Sequence, residues 1–231
     1  MLYKTLVTSD HWFPRLVRHV RRSALNFSIS PPRLLLISIV SIFLALRAVY
    51  YFVVRVFICE PFFKYYCTEY GRNFHTGVFL HWVQGRGALV VGDNVTIDGK
   101  CSFSFAGRYS EQPTLVIGDN SSIGHGCSLT VGDRITVGKH CRIGIGVGIF
   151  DAGGHPLSPE LRLKGFPANR EDVRPVAIED NVWIGSRAII MPGVTIGRNS
   201  IIAAGSVVMN SIPPNCVAGG NPARQLRALV E

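Results

Sequence analysis

From Ile178 an aliphatic residue returns at every sixth position: Ile178, Ile184, Ile190, Ile196, Ile202 and Val208. Four places after each of the first five stands a small or β-branched residue: Val182, Ala188, Val194, Ser200 and Ser206. An α-helix turns every 3.6 residues and would scatter these aliphatics around its surface. Short flat strands joined at tight corners, three to a coil, send every sixth side chain into one narrow core instead. The pattern predicts a mainly β fold, a parallel β-helix of hexapeptide repeats.

The frame extends backwards. Val91-Gly-Asp-Asn-Val95-Thr and Ile97-Asp-Gly-Lys-Cys101-Ser open it, Ile117 to Ser128 resume it, and Val137 to Ile149 carry it on. Two insertions interrupt the ladder, Phe103–Leu115 and Asp151–Pro175, with a two-residue slip at Leu129–Thr130. Long loops in a strict ladder are commonly functional, and the second insertion holds His155.

The net charge of +9 raises nucleic acid as a partner. Six of the cations, Lys4, Arg15, Arg18, Arg21, Arg22 and Arg33, precede the first apolar run, however, and no nucleic-acid motif accompanies them. A basic segment leading into an apolar one points to an anionic membrane surface, with no nucleic acid involved. Residues 1–75 therefore read as a helical, membrane-associated segment, 76–215 as the β-helix with a loop at 151–175, and 216–231 as a tail. The run Leu34–Leu46 is free of charge but covers only about 20 Å as a helix, against a hydrocarbon core of about 30 Å. Arg47, Tyr51 and Arg55 then follow four apart, as one polar stripe. This favours a monotopic or re-entrant contact through residues 33–59, with the basic N-terminus on the cytoplasmic face. Cys101, Cys127 and Cys141 occupy the small inward position of the repeat, where a thiol fills core and binds no metal.

Four motifs carry chemistry. They are Phe150-Asp-Ala-Gly-Gly-His155-Pro, Asn181-Val-Trp183-Ile-Gly185-Ser186 and Ala203-Ala204-Gly205-Ser206, followed by Gly219-Gly-Asn-Pro-Ala-Arg224. From about Ile143 to Leu226 the chain resembles the hexapeptide-repeat acyltransferases, most closely the maltose/galactoside acetyltransferase-like group. The resemblance implies a left-handed β-helix, a homotrimer with its site between subunits, acetyl-CoA as co-substrate and no metal. It assigns His155 as the catalytic histidine and Trp183 to the pantetheine channel. Gly185, Ser186, Ala203, Ala204 and Gly205 would hold the pantetheine amides, and Arg224 the nucleotide phosphates. Two departures stand out. Met209-Asn210 precedes Ile212-Pro213 where many members carry a Lys, and the acceptor-side Asn has no clear counterpart, the alignment falling between Gly126 and Ser128.

The physical case for His155 is separate. Acyl transfer to a hydroxyl requires removal of a proton, and imidazole, with an ordinary pKa near 6.5, suits a base at neutral pH. Asp151, four residues earlier, is a candidate to orient the ring. A zinc-dependent carbonic anhydrase of the same architecture would need three histidines, but His125, His140 and His155 lie fifteen apart with no close ligand spacing. A silent scaffold, and N-acetylation of an amino sugar, remain as alternatives. The reading that follows is a CoA-dependent O-acetyltransferase acting on a saccharide or lipid-linked surface glycan.

Overall fold

The hexads close into coils because three of them, eighteen residues, bring the chain back beside itself. In the computed structural model, which describes residues 11–229, Ile178 stands beside Ile196, Ile184 beside Ile202, and Ile190 beside Val208. The first sheet runs from Glu69–Tyr70 through Ala88–Val91 and Arg134–Val137 to Thr195–Ile196. The second runs from His75–Thr76 through Arg142–Ile143 and Trp183–Ile184 to Cys216–Gly220 and Ala223–Ala228. The third runs from Trp82–Gln84 through Ser128–Val131 and Gly148–Phe150 to Val207–Val208. All pairings are parallel except that of the last two strands of the second sheet, which form a hairpin. Three parallel sheets around one narrow core are the arrangement of a left-handed β-helix.

Ile178, Ile184, Ile190, Ile196, Ile202 and Val208 are all buried, and so are Val182, Ala188, Val194, Ser200 and Ser206. Each buried aliphatic contributes about 1.5–3 kcal/mol relative to exposure, repeated in every coil. The corner between the first and second sheets needs a left-handed residue, which asparagine tolerates best among side-chain-bearing residues. Asn94, Asn120, Asn181 and Asn199 take it with φ between 56° and 60°. Their amides bond from coil to coil: Asn94 Nδ2 donates to Asn120 Oδ1 at 3.2 Å, and Asn181 Nδ2 to Asn199 Oδ1 at 3.0 Å. His140 fills the same corner at φ 60° between Asn120 and Asn181, so its position is set by the turn. Cys101, Cys127 and Cys141 are buried free thiols, each donating to a carbonyl of the next coil.

Three expectations need correction. The division at residue 75 is misplaced, because contacts separate the chain at Ala48–Val49. Helix α3, taken below as Glu60–Tyr66, inserts Phe63 into the end of the β-helix, where its ring lies 5.2 Å from that of Phe103. Phe74 joins the same core, and the strand Glu69–Tyr70 already pairs with Val90–Val91. Residues 60–76 therefore close one end of the barrel. The tail beginning at 216 is likewise a hairpin continuing the second sheet. The insertion Phe103–Leu115 is also shorter than expected, since strands run to Phe105 and start again at Thr114.

Ahead of this unit lie helix α1, Trp12–Asn26, and helix α2, Arg33–Val54, which continues through a π-helical turn at Arg55–Cys59 into α3. Arg33–Tyr66 is long and apolar enough to cross a membrane, and its most apolar window has no residue buried against protein. Arg55 departs from the polar stripe expected on this helix: its guanidinium pairs at 3.1 Å with Glu60, which also meets His75 at 3.2 Å and Lys64 at 3.7 Å.

Candidate active site

The loop bearing His155 leaves the third sheet after Phe150 and returns to the first at Val176. Its base is locked by Asp151, which is fully buried. One carboxylate oxygen accepts from the Gly132 N–H and the other from the Asp133 N–H at 2.8 Å, while the Asp151 carbonyl accepts from Arg174 N at 2.8 Å. Burial raises the Asp151 carboxyl above its ordinary pKa, against the opposing pull of those N–H groups. Both oxygens are thus engaged by the neighbouring turn, so that Asp151 anchors the loop base, and among the described residues no hydrogen bond joins it to the His155 ring.

Beyond Asp151 the loop is held from two sides. Ala152, Ala168 and Val173 pack on Tyr109, which the first insertion supplies, so the two insertions share a small core. The short helix α4, Pro159–Leu163, is capped by Ser158 and turns Arg162 back to donate to the carbonyls of Pro156 at 2.9 Å and Leu157 at 2.6 Å. His155 is exposed between these supports, next to buried Pro156.

At the start of this loop opens a cleft of about 310 Å³ whose lining includes Gln84, Ser104, Arg108, Tyr109, Thr130 and Gly154; His155 follows Gly154 in the chain and is not itself part of the lining. Gln84, Ser104 and Thr130 stand in register on three successive strands of the third sheet and face outward, with Phe150 next in the column. Arg108 lies over the Tyr109 ring at 5.5 Å. Sequence reasoning missed this cleft. The alternation Ser102-Phe103-Ser104-Phe105, a strand signature of period two, was its one legible signal.

The residues expected to hold the donor gather elsewhere. Trp183 is 55% exposed on the second sheet, registered beside Arg142 and Ile201. Gly185 and Ser186 form the corner from the second sheet to the third, where a Cβ on Gly185 would collide with the Ala204 N–H of the next coil. The Ser186 carbonyl accepts from Gly205 N at 2.9 Å, and Ala203 N donates to Ala218 O at 2.8 Å. The N–H groups of Ala203 and Gly205 are therefore already used within the fold. Among the described residues the Ala204 N–H has no such partner, which narrows the expected set. Arg224 is exposed on the final hairpin of the same sheet, three strands from Trp183 and out of its column, since it pairs with Gly219 whereas Trp183 lines up with Val217.

The two groups are not joined within one chain. His155 stands at the edge between the third and first sheets, whereas Ser186 and Ala203–Gly205 stand at the edge between the second and third. His125 sits on that latter edge, its ring 5.8 Å from Phe79, and His140 on the third edge of the prism. The three histidines weighed as zinc ligands thus occupy three different edges, and among the described residues no group of three His, Cys, Asp or Glu is placed to hold a metal.

The stacked hexads and left-handed asparagine corners define a hexapeptide-repeat β-helix with an inserted loop that carries His155. Residues 175–210 match the family model for the bacterial transferase hexapeptide, six repeats. A putative acetyltransferase of Saccharomyces cerevisiae is 46% identical over 117 residues, 51% of this chain and 57% of its own. The galactoside O-acetyltransferase of Escherichia coli is 35% identical over 139 residues, 60% of this chain and 63% of its own. The chain thus spans less than two thirds of the length of these curated relatives. Among solved structures, a hexapeptide-repeat acetyltransferase of Vibrio cholerae in complex with acetyl-CoA superposes with a TM-score of 0.53 at 27% identity, covering 78% of this chain and 83% of the other. An N-acyltransferase of Bacillus cereus at 22% identity, with a TM-score of 0.61 over 74% of this chain and 89% of its own, shares the fold. The chain is thus similar to hexapeptide-repeat acetyltransferases, and its residues 175–210 carry the bacterial transferase hexapeptide repeat.

Proposed function

We propose that this chain moves an acetyl group from acetyl-CoA to a hydroxyl of a saccharide or lipid-linked surface glycan. The observation that carries the reading is the cleft at the base of the His155 loop, where three outward polar side chains stand in one column. His155 is exposed on a loop anchored by Asp151 and Arg162, and the residues just before it, Gly153 and Gly154, line this cleft together with the column Gln84, Ser104 and Thr130 and with Tyr109. Hydroxyls and amides in register suit a polyhydroxyl acceptor, and an aromatic wall suits the apolar face of a sugar ring.

His155 takes the proton from the acceptor hydroxyl as its oxygen attacks the thioester carbonyl. The tetrahedral intermediate collapses with loss of the CoA thiolate, which regains a proton from the imidazolium. Trp183, Ser186 and the Ala204 N–H support a pantetheine arm along the edge between the second and third sheets, with Gly185 keeping that edge close-packed. Arg224 supplies positive charge for the nucleotide phosphates. Since His155 and this edge lie apart in one chain, a donor held on one subunit reaches the histidine of its neighbour. That supports a homotrimer with shared sites, built by one heterologous contact repeated around a three-fold axis. The apolar segment 33–59 would keep the reaction at the cytoplasmic face of a membrane, where acetyl-CoA is made and a lipid-linked acceptor is presented.

A panel of glycan acceptors incubated with radiolabelled acetyl-CoA, followed by mapping of the labelled position, tests the assignment. Label on a hydroxyl is expected. Label confined to an amine transfers the chain to the amino-sugar acetyltransferases, and CoA binding without release of label to any acceptor favours a scaffold.

A further inference from the structure

Helix α1 lies outside both the β-helix and the apolar segment, and nothing in the acetyl-transfer reading uses it. On a helical wheel Trp12, Phe13, Leu16, Val17, Val20 and Ala24 fall within an arc of roughly 140°. Arg15, Arg18, Arg21 and Arg22 fill the opposite side, where Pro14 and Leu25 are the only apolar members. The apolar arc is unburied: Trp12 is 68% exposed and Val20 58%. A surface helix of a globular domain would bury such a stripe.

Charge identifies what covers it. Between His11 and Cys59 there is no Asp or Glu and no Lys, and all seven formal cations are Arg: Arg15, Arg18, Arg21, Arg22, Arg33, Arg47 and Arg55. A guanidinium binds phosphate through two parallel N–H donors, which an ammonium cannot do. An aromatic residue at the start, aliphatics on one side and arginines on the other are the composition of a helix lying in the plane of a bilayer interface. The break Ser28-Ile-Ser-Pro-Pro32 separates α1 from α2, so the two helices can run in different directions.

We infer that α1 is an in-plane helix that docks on an anionic phospholipid surface, its Trp12–Val20 side among the acyl chains and its arginines on lipid phosphates. This deepens the membrane reading of residues 1–75: it gives α1 an in-plane pose and a phosphate-binding role separate from the apolar contact of residues 33–59, and it holds whatever reaction the β-helix performs.

The test uses the full chain with Trp82→Phe and Trp183→Phe, which leaves Trp12 as its single tryptophan. The protein is reconstituted with vesicles of phosphatidylcholine alone, or of phosphatidylcholine mixed with phosphatidylglycerol, each carrying lipids brominated at shallow acyl positions. Trp12 fluorescence should be quenched in the anionic vesicles, with the quenching lost in phosphatidylcholine or at high salt. Arg18→Gln, Arg21→Gln and Arg22→Gln together should abolish quenching while the protein still sediments with the vesicles through α2. For the same three neutralisations, vesicle affinity of a chain shortened by deletion of residues 33–48 should fall roughly a hundredfold, at about fivefold per arginine. Equal quenching in both lipid compositions, or none in either, overturns the inference. Failure of the variant to sediment would instead count against the separate role of segment 33–59.

Discussion

At the residue scale, the His155 loop divides a residue proposed for chemistry, His155, from one that holds the scaffold, Asp151. His155 is exposed and bonds nothing the fold needs, so His155→Ala should leave the melting temperature nearly unchanged and lower turnover by roughly 10²–10⁴-fold, the usual contribution of a positioned base. His125→Ala and His140→Ala in the same assay should retain most activity, because the first residue faces Phe79 and the second fills a corner. Equal losses at all three would remove His155 from proton transfer. Asp151→Ala should differ from all of them. It leaves the Gly132 and Asp133 N–H groups without their acceptor, at about 1–3 kcal/mol for a buried group, and calorimetry should register that loss.

His81 offers a second test at the same scale. It takes the inward position of the first coil, its ring 4.4 Å from Phe63 and 5.8 Å from Phe103, with both ring nitrogens buried and without partners among the described residues. Burial lowers its pKa from 6.5 to about 4. A depressed folded-state pKa means that the unfolded chain takes up the proton first. His81 therefore costs no stability above about pH 6.5 and progressively more as pH falls towards 4, reaching about 3 kcal/mol. His81→Phe should show a smaller decline in unfolding free energy between pH 7 and pH 4 than the native chain; parallel curves would contradict the buried neutral imidazole.

At the scale of elements, α3 is the piece that the apolar sequence disguised. Its hydrophobicity runs on from α2, yet Phe63 and Phe74 belong to the β-helix core. Removal of residues 1–48 should release the protein from membranes with its thermal transition intact. Removal of residues 1–75 should uncover Leu89, Val95 and Phe103 at the open end and give aggregation or a much lower transition temperature. If the shorter product melts like the longer one, the plug contributes nothing. Histidine and donor groups are likewise placed by elements: two insertions meet through Tyr109 to hold one, and a stacked edge holds the other.

At the scale of the whole molecule, the separation of His155 from the Ser186–Ala204 edge has a direct consequence. If sites form between subunits, a His155→Ala chain and a Trp183→Ala chain, each nearly inactive, should regain activity when unfolded together and refolded as mixed trimers. Each mixed trimer would contain an interface with both native residues. Light scattering should give a trimer mass, and mixing without recovery, or a fully active monomer, would contradict the shared site.

What the sequence by itself determined is whatever repeats. The period of six named the core residues from Ile178 to Val208, the cysteine positions and the coil architecture, since each inward side chain meets the same surroundings in every coil. The motif around His155 marked the loop proposed to react, because an insertion stands out against so regular a ladder. The tertiary structure alone decided the rest. Asp151 binds a turn almost twenty residues earlier, Tyr109 supports a loop more than forty residues later, and Gln84, Ser104 and Thr130 become neighbours only when successive coils stack. Phe63 likewise reads as one more apolar residue of a long helix until it meets Phe103. Contacts of this kind join residues that no local period connects, because their spacing in the chain is set by the lengths of intervening loops and coils, and only closure of the fold brings them within bonding distance.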